Sequence, residues 1–382
     1  MIKHVLLALA GAALGVAVCS VGSTAQTPAQ VLPLGTVTQV GNPRPCPPNQ
    51  GWDDQHHMSC VDAVVANCPG AEDLTLTYGY ERNTRSTYLG TVVLFSGWGG
   101  TVPASDPEGL TFAQDYYNQG FEVVMLAWSS DWELTRNPLR HNSYGNIQTA
   151  ACRPATFLNY VYTNPNLYTQ GPMNGMCAQG FSAGSAAIGY SLAWYGAGSY
   201  LDNAELLAGP VFSSLDQGCE VPVAPDVTVC PSGQQGCVGW PSRPLQLTPE
   251  FIQGYEKGPR EWTGIKACAG HQRTDQYNAI WSNMSIVSSS STEQQFSYPG
   301  TSLAGWLCAT TKPPVQMNNS TPQGELFYQQ INHVTQNYSV NAIYACTSAE
   351  EVAGQGAHTS GGQSGLSAIE VDTFANCKRK VH

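Results

Sequence analysis

The chain has 382 residues, enough for one large or two ordinary domains with a sizeable core, which excludes a peptide, a coiled coil and a small disulfide knot. Charged residues are only 11% of it, against roughly 25% in an average soluble protein, and Ser, Thr, Asn and Gln supply the polarity. With 16 Lys+Arg against 27 Asp+Glu the net charge is −11, and the only basic run is Lys378, Arg379 and Lys380, which argues against a nucleic-acid partner.

Residues 1–25 carry Lys3, an apolar run from Val5 to Val18 and the small residues Ser23, Thr24 and Ala25, the pattern of a signal peptide cleaved before Gln26. The apolar run is short for the ~20 residues of a membrane span and is broken by glycines, so no stable membrane insertion is expected. The mature chain is expected to be secreted or periplasmic. Cleavage removes Cys19 from the 13 cysteines, and the even remainder in an exported chain predicts disulfides, with the pairing left open. No CxxC pair occurs, and His56-His57 lacks the i, i+4 spacing that aims two imidazoles at one ion, so neither a metal nor an organic cofactor is expected.

Residues 26–72 are rich in Pro, Asn and Gly, hold three cysteines, and read as a stapled N-terminal extension without regular structure. The main domain is expected over 73–382. Asp73 to Glu81 alternates like a strand with one wet face, whereas Thr91 to Phe95 and Phe121 to Trp128 are continuous apolar runs, as in strands covered on both faces. Between those two, Pro107 to Gln119 has a helix-starting proline and stops at Gly120. Strand, helix, strand implies a βαβ unit, hence an α/β fold with a parallel sheet.

The pattern repeats. A helix is predicted over Cys152 to Tyr162, a strand over Met176 to Gly180, a small-residue helix over Ala183 to Tyr195 and a strand over Glu205 to Val211. A cysteine- and tryptophan-bearing insertion, 217–300, reads as a disulfide-braced cap or lid. Beyond it come a strand over Leu303 to Thr310, a helix over Pro322 to Ile331, a last strand over Val340 to Cys346 and a final helix over Leu366 to Cys377.

Gly180-Phe181-Ser182-Ala183-Gly184 is a G-x-S-x-G pentapeptide set between a short strand and a helix that opens on small residues. So sharp a turn needs both glycines, lifts the Ser182 hydroxyl clear of the sheet, and backs it with helix N–H groups. Ser182 is therefore the candidate nucleophile, with a buried turn serine as the alternative. The strand Thr91 to Phe95 runs into Ser96-Gly97-Trp98-Gly99-Gly100, a loop that in such a layout lends an oxyanion N–H. Trp98 or Gly99 is the expected donor, with Ala183 as the second.

The buried strand leading to GWGG, the G-F-S-A-G elbow and a histidine after the last strand together resemble the α/β-hydrolase superfamily over about 73–377; no subfamily is indicated. The resemblance implies a mostly parallel sheet with helices on both faces and a Ser, acid, His order along the chain. It assigns the base to His358, twelve residues past Cys346 and ahead of the terminal helix. The acid's usual place after the penultimate strand is bare, because no Asp or Glu occurs from Phe296 to Gly324. Asp216, past the strand that follows the elbow helix, preserves the order Ser182, Asp216, His358; Glu350 and Glu351 compete with it. The implied activity is a serine carboxylic-ester hydrolase acting on a small or polymeric ester. A serine peptidase of the same fold, or a non-catalytic binding protein on a decayed scaffold, are the rival readings. Oligomeric state is left open.

Overall fold

The computed structural model describes residues 31–83, 88–97, 99–104, 107–133, 147–213, 285–288, 291–308, 324, 327–328, 330–331, 338–343, 362–380 and 382. Three antiparallel strands lead in: β1 (Thr36–Pro45), β2 (Ser59–Ala66) and β3 (Leu74–Glu81). Then strands and helices alternate: β4 (Gly90–Phe95), α1 (Pro107–Gln119), β5 (Phe121–Trp128), α2 (Ile147–Ala150), α3 (Cys152–Thr163), β6 (Gly175–Phe181), α4 (Ala183–Tyr195) and β7 (Asn203–Leu207). The sheet is completed by β8 (Ser302–Cys308) and β9 (Tyr338–Ile343), and the chain closes with α5 (Gly362–Asn376).

All nine strands share one sheet in the order β1-β2-β3-β5-β4-β6-β7-β8-β9. Pairing is antiparallel from β1 through β3 to β5 and parallel from β5 to β9. The apolar runs of the sequence become the interior strands: every residue of β4 and β7 is buried, because helices cover both faces. One face carries α3 and α4 over a core that includes Val93, Phe157, Ala187 and Leu206. The other carries α1 and α5 over Val92, Phe112, Tyr116 and Ile369. No helix among the described residues is long and apolar enough to cross a membrane.

The helices predicted before residue 200 and at the end of the chain, and the buried strands, match the observed ones to within a few residues. The helix expected over Pro322 to Ile331 lies partly outside the described residues, and the reading of 26–72 as irregular is overturned. That segment contains two strands, β1 and β2, which extend the sheet. Composition masks β1 (TVTQVGNPRP) because it is an exposed edge strand with a break in register between Val40 and Arg44, and an edge tolerates the missing N–H groups of Pro43 and Pro45. The strand expected from Glu205 to Val211 begins earlier and ends at Leu207, since Asp202 and Asn203 are buried with partners and Ala208 turns into the left-handed region at φ 48°. Residues 214–284, most of the expected cap, lie outside the described residues. Its return is docked on α4, where the Trp194 indole donates to the Ile286 carbonyl at 2.9 Å and Phe296 and Tyr298 are buried.

Three disulfides join described cysteines: Cys46–Cys60, Cys68–Cys152 and Cys177–Cys377. The first closes the β1–β2 connection and the second ties β2 to α3. The third, spanning 200 residues, ties the central strand β6 to the end of α5.

Candidate active site

The parallel strands β4, β6 and β7 end together, and the loops leaving them meet around Ser182. Ser182 is 4% exposed and takes φ 54°, ψ −114°, a conformation that non-glycine residues adopt only when their surroundings force it. Its N–H donates to the Leu207 carbonyl at 2.9 Å, anchoring the elbow to β7, and its carbonyl accepts the Ala186 N–H at 3.1 Å. The Ser185 hydroxyl donates to the same carbonyl at 2.5 Å.

Both flanking glycines are required by contact. A Cβ on Gly180 would lie 2.3 Å from the Gly184 carbonyl oxygen, and one on Gly184 would lie 2.3 Å from the Phe95 carbonyl oxygen. The strand entering the elbow, the helix leaving it and the end of β4 are thus pressed together with no room for a methyl group. α4 accepts this because its first turn is Ala, Gly, Ser and Ala, and every one of its 13 residues is buried.

The loop after β4 is pinned to the end of β5: Trp132 N–H donates to the Gly99 carbonyl at 3.0 Å and Trp128 N–H to the Gly100 carbonyl at 2.8 Å. A Cβ on Gly99 would strike the Asp131 side chain at 2.3 Å. Among the described residues, no acceptor is bonded to the N–H of Gly99 or Ala183. A cavity of about 20 Å³, room for one water molecule, opens beside the elbow between Ser96, Pro103, Ala104, Phe112, Phe181 and Leu207. Its walls are largely apolar.

Under the elbow lies a buried polar network that no sequence pattern announced. Glu205, 1% exposed in β7, accepts from the Trp306 indole at 2.5 Å, the Asn203 amide at 2.7 Å and the Thr373 hydroxyl at 3.4 Å. Thr373 in turn lies 3.0 Å from the Tyr116 hydroxyl, which donates to Gln179, three residues before Ser182. Burial, with Asp372 nearby, pushes the Glu205 carboxyl well above the usual carboxylate range. The network joins β6, β7, β8, α1 and α5 beneath the proposed nucleophile. A glutamate inside the apolar run NAELL was its one visible sign.

Of the residues expected at the site, the structure brings Ser182 and Ala183 to the strand ends and places Gly99 in the neighbouring loop. Trp98, Asp216 and His358 lie outside the described residues, as do Glu350 and Glu351. The histidines His56 and His382 stand at the other end of the sheet, beside Glu81 and Asp202 respectively. His56 was passed over in the sequence for want of a second imidazole at helical spacing; its neighbours in space are Asp53 and Glu81, which are two carboxylates from different segments.

An antiparallel lead-in, a parallel body and a strained serine turn between β6 and α4 are together diagnostic. The fold is that of the α/β-hydrolases.

No family model matches the sequence, and no curated protein matches it. Among solved structures the chain is similar to acetyl xylan esterase 1 from Thermoanaerobacterium sp. JW/SL YS485, at 11% identity over 81% of each chain with a TM-score of 0.46. It is also similar to brefeldin A esterase, described as a bacterial homologue of human hormone sensitive lipase, at 13% identity over 87% of this chain and 79% of that one, with a TM-score of 0.44. A thermostable esterase from Pseudomonas putida ECU1011 shares 12% identity over 85% and 84% of the two chains, with a TM-score of 0.45.

Proposed function

We propose that the protein is an exported serine hydrolase that cleaves carboxylic esters through an acyl-enzyme. The observation that carries this reading is the Ser182 backbone, held at φ 54° by two glycines that can bear no side chain. A serine whose only task was to turn the chain would relax to an ordinary conformation or be replaced by glycine.

In this reading His358 removes the Ser182 proton as the hydroxyl oxygen attacks the ester carbonyl, and Asp216 orients the imidazole. The N–H groups of Ala183 and of Trp98 or Gly99 receive the oxyanion, backed by the N-terminus of α4. His358 then protonates the departing alcohol, and water, deprotonated by the same imidazole, releases the acid and restores Ser182. The side chains beside the elbow, Pro103, Ala104, Phe112 and Phe181, carry no charge that would hold a peptide terminus, which supports an ester substrate over a peptide. The signal-like segment 1–25 and the paired cysteines support export.

The test is labelling by a fluorophosphonate together with hydrolysis of short p-nitrophenyl esters. Wild-type protein is expected to be labelled and active, and Ser182→Ala to lose labelling and at least ~1000-fold in kcat/KM. Equal activity in Ser182→Ala overturns the proposal, as does wild-type protein that neither labels nor hydrolyses. Cleavage of peptidyl anilides in preference to the esters transfers the assignment to a peptidase.

A further inference from the structure

At the far end of the sheet from Ser182, a second group of side chains converges. Asp53 and His56 come from the β1–β2 connection, which the Cys46–Cys60 disulfide closes, and Glu81 ends β3. Through the strand register Glu81 is level with Val123, Val92 and Cys177, five residues before Ser182 and three strands away, a separation of roughly 20 Å. This cluster therefore has no part in the ester chemistry.

One donor atom from each of the three residues lies within 4.8 Å of the other two, and His56 Nδ1 is 3.9 Å from Glu81 Oε2. Donors placed about 2.0–2.2 Å from a common ion lie roughly 3–4.2 Å apart, so small side-chain rotations complete the set. Asp53 is already oriented for this: its Oδ1 accepts from the Gln55 N–H at 2.9 Å and the Gln114 amide at 3.2 Å, while Oδ2 faces His56. Such outer hydrogen bonds are what hold a carboxylate ligand in place. The His56 ring is fixed against Tyr117 at 4.3 Å between centroids.

Glu81 supplies the second, independent observation. It is 3% exposed, and among the described residues neither of its carboxyl oxygens accepts from an N–H or hydroxyl group. What faces it is the Asp53 carboxyl, with which it shares a proton where an ion would otherwise stand. Its polar neighbours are another carboxylate and an imidazole, an arrangement that leaves buried oxygen lone pairs aimed at one point.

We propose that Asp53, His56 and Glu81 form a binding site for one divalent cation of the kind that accepts mixed imidazole and carboxylate ligands, with Zn²⁺ as its representative. Three protein donors leave a further position for water, and the ion ties the β1–β2 connection to β3 alongside α1. Its role is structural.

The test uses the full chain, dialysed against EDTA and titrated with ZnCl₂. Wild-type protein is expected to bind one equivalent more than either Glu81→Gln or His56→Asn, and to gain roughly 5 °C in Tm at a hundredfold excess over Kd, a gain that both variants lose. Equal stoichiometry and equal Tm shifts in wild type and variants overturn the proposal. Should the variants fail to fold, wild-type crystals grown with Zn²⁺ decide it by zinc-edge anomalous density. A peak bonded to Asp53, His56 and Glu81 supports the site, and peaks confined to other places, or none, overturn it.

Discussion

The two faces of the sheet handle buried charge in opposite ways. On the α3/α4 face the deepest charge is a cation: Arg153, 1% exposed, gives its guanidinium to the carbonyls of Glu72 and Trp132 at 2.8–3.2 Å. On the α1/α5 face the buried charges are carboxyls set against other carboxyls, Glu81 against Asp53 and Glu205 against Asp372. Burial and the facing Asp53 push Glu81 up to about 9. A guanidinium capped by backbone carbonyls is fixed at every accessible pH, whereas paired carboxyls hold protons or cations whose number changes with conditions. The face that carries the elbow helix thus fixes its deepest charge, although Glu122 and Glu133, the latter beside Tyr190 of α4, are titratable carboxyls on that side as well.

The sharpest challenge to this comparison is at the elbow itself. Gly184→Ala places a methyl group 2.3 Å from the Phe95 carbonyl oxygen, so α4 must move off β4. A displacement near 1 Å at a reacting group costs about 100-fold in rate, and a loss of at least that size in kcat/KM is expected with the protein still folded. Unchanged kinetics in Gly184→Ala would mean that the tight turn does not position the serine. Behind the sheet the effect moves from rate to stability. Glu205→Ala strips the acceptor from the Trp306 indole and the Asn203 amide and leaves a cavity, for an expected loss of about 3–5 kcal/mol in urea unfolding. Glu205→Gln, which keeps the volume and one of the two accepting oxygens, is expected to cost less, about 1–3 kcal/mol. Similar losses in the two variants would show that the network is packing rather than polar satisfaction. Replacing Cys177 and Cys377 together by alanine frees a 200-residue loop and is expected to cost about 2–4 kcal/mol, read by the same unfolding curves.

How much of this was legible differs by what each residue depends on. The elbow could be read because its demands are local: GFSAG sits in five consecutive positions, and the strand and small-residue helix on either side follow from apolar runs and alanines. The βαβ alternation was equally local, and it carried the fold class. β1 was hidden because an edge strand need not be apolar, and prolines that exclude a central strand are compatible with an edge. β2, paired on both sides, carries a largely apolar strand pattern in SCVDAVVA that the Pro- and Gly-rich surroundings obscured. The Glu205 network and the Asp53, His56, Glu81 cluster were hidden for another reason. Their members come from segments up to 257 residues apart, as in Tyr116 with Thr373, and only the folded register makes them neighbours. Spacing rules written for a single helix, such as the one that set His56 aside, are blind to ligands delivered by separate strands and loops.

The smallest expected effect concerns a titratable carboxyl on the α3/α4 face, where the deepest charge is fixed. Glu122 of β5, 8% exposed, is a buried carboxyl of that face, and burial pushes it up to about 7 despite the opposing influence of Arg82 and the Thr91 hydroxyl. The folded state therefore binds this proton more tightly than the unfolded chain, whose glutamate titrates near 4.5. Its contribution to stability is fully present below pH 4.5 and is lost as pH rises through 7, reaching a deficit of up to about 3 kcal/mol by pH 8. Glu122→Gln cannot ionise, so its stability should match wild type near pH 4.5 and exceed it by about 1–3 kcal/mol at pH 8. Urea unfolding at half-unit steps from pH 4 to 9 measures the gap between the two curves. Parallel curves would mean that Arg82 fully offsets the burial of Glu122, leaving the pH response of this protein to its other raised carboxyls, Glu133 among them.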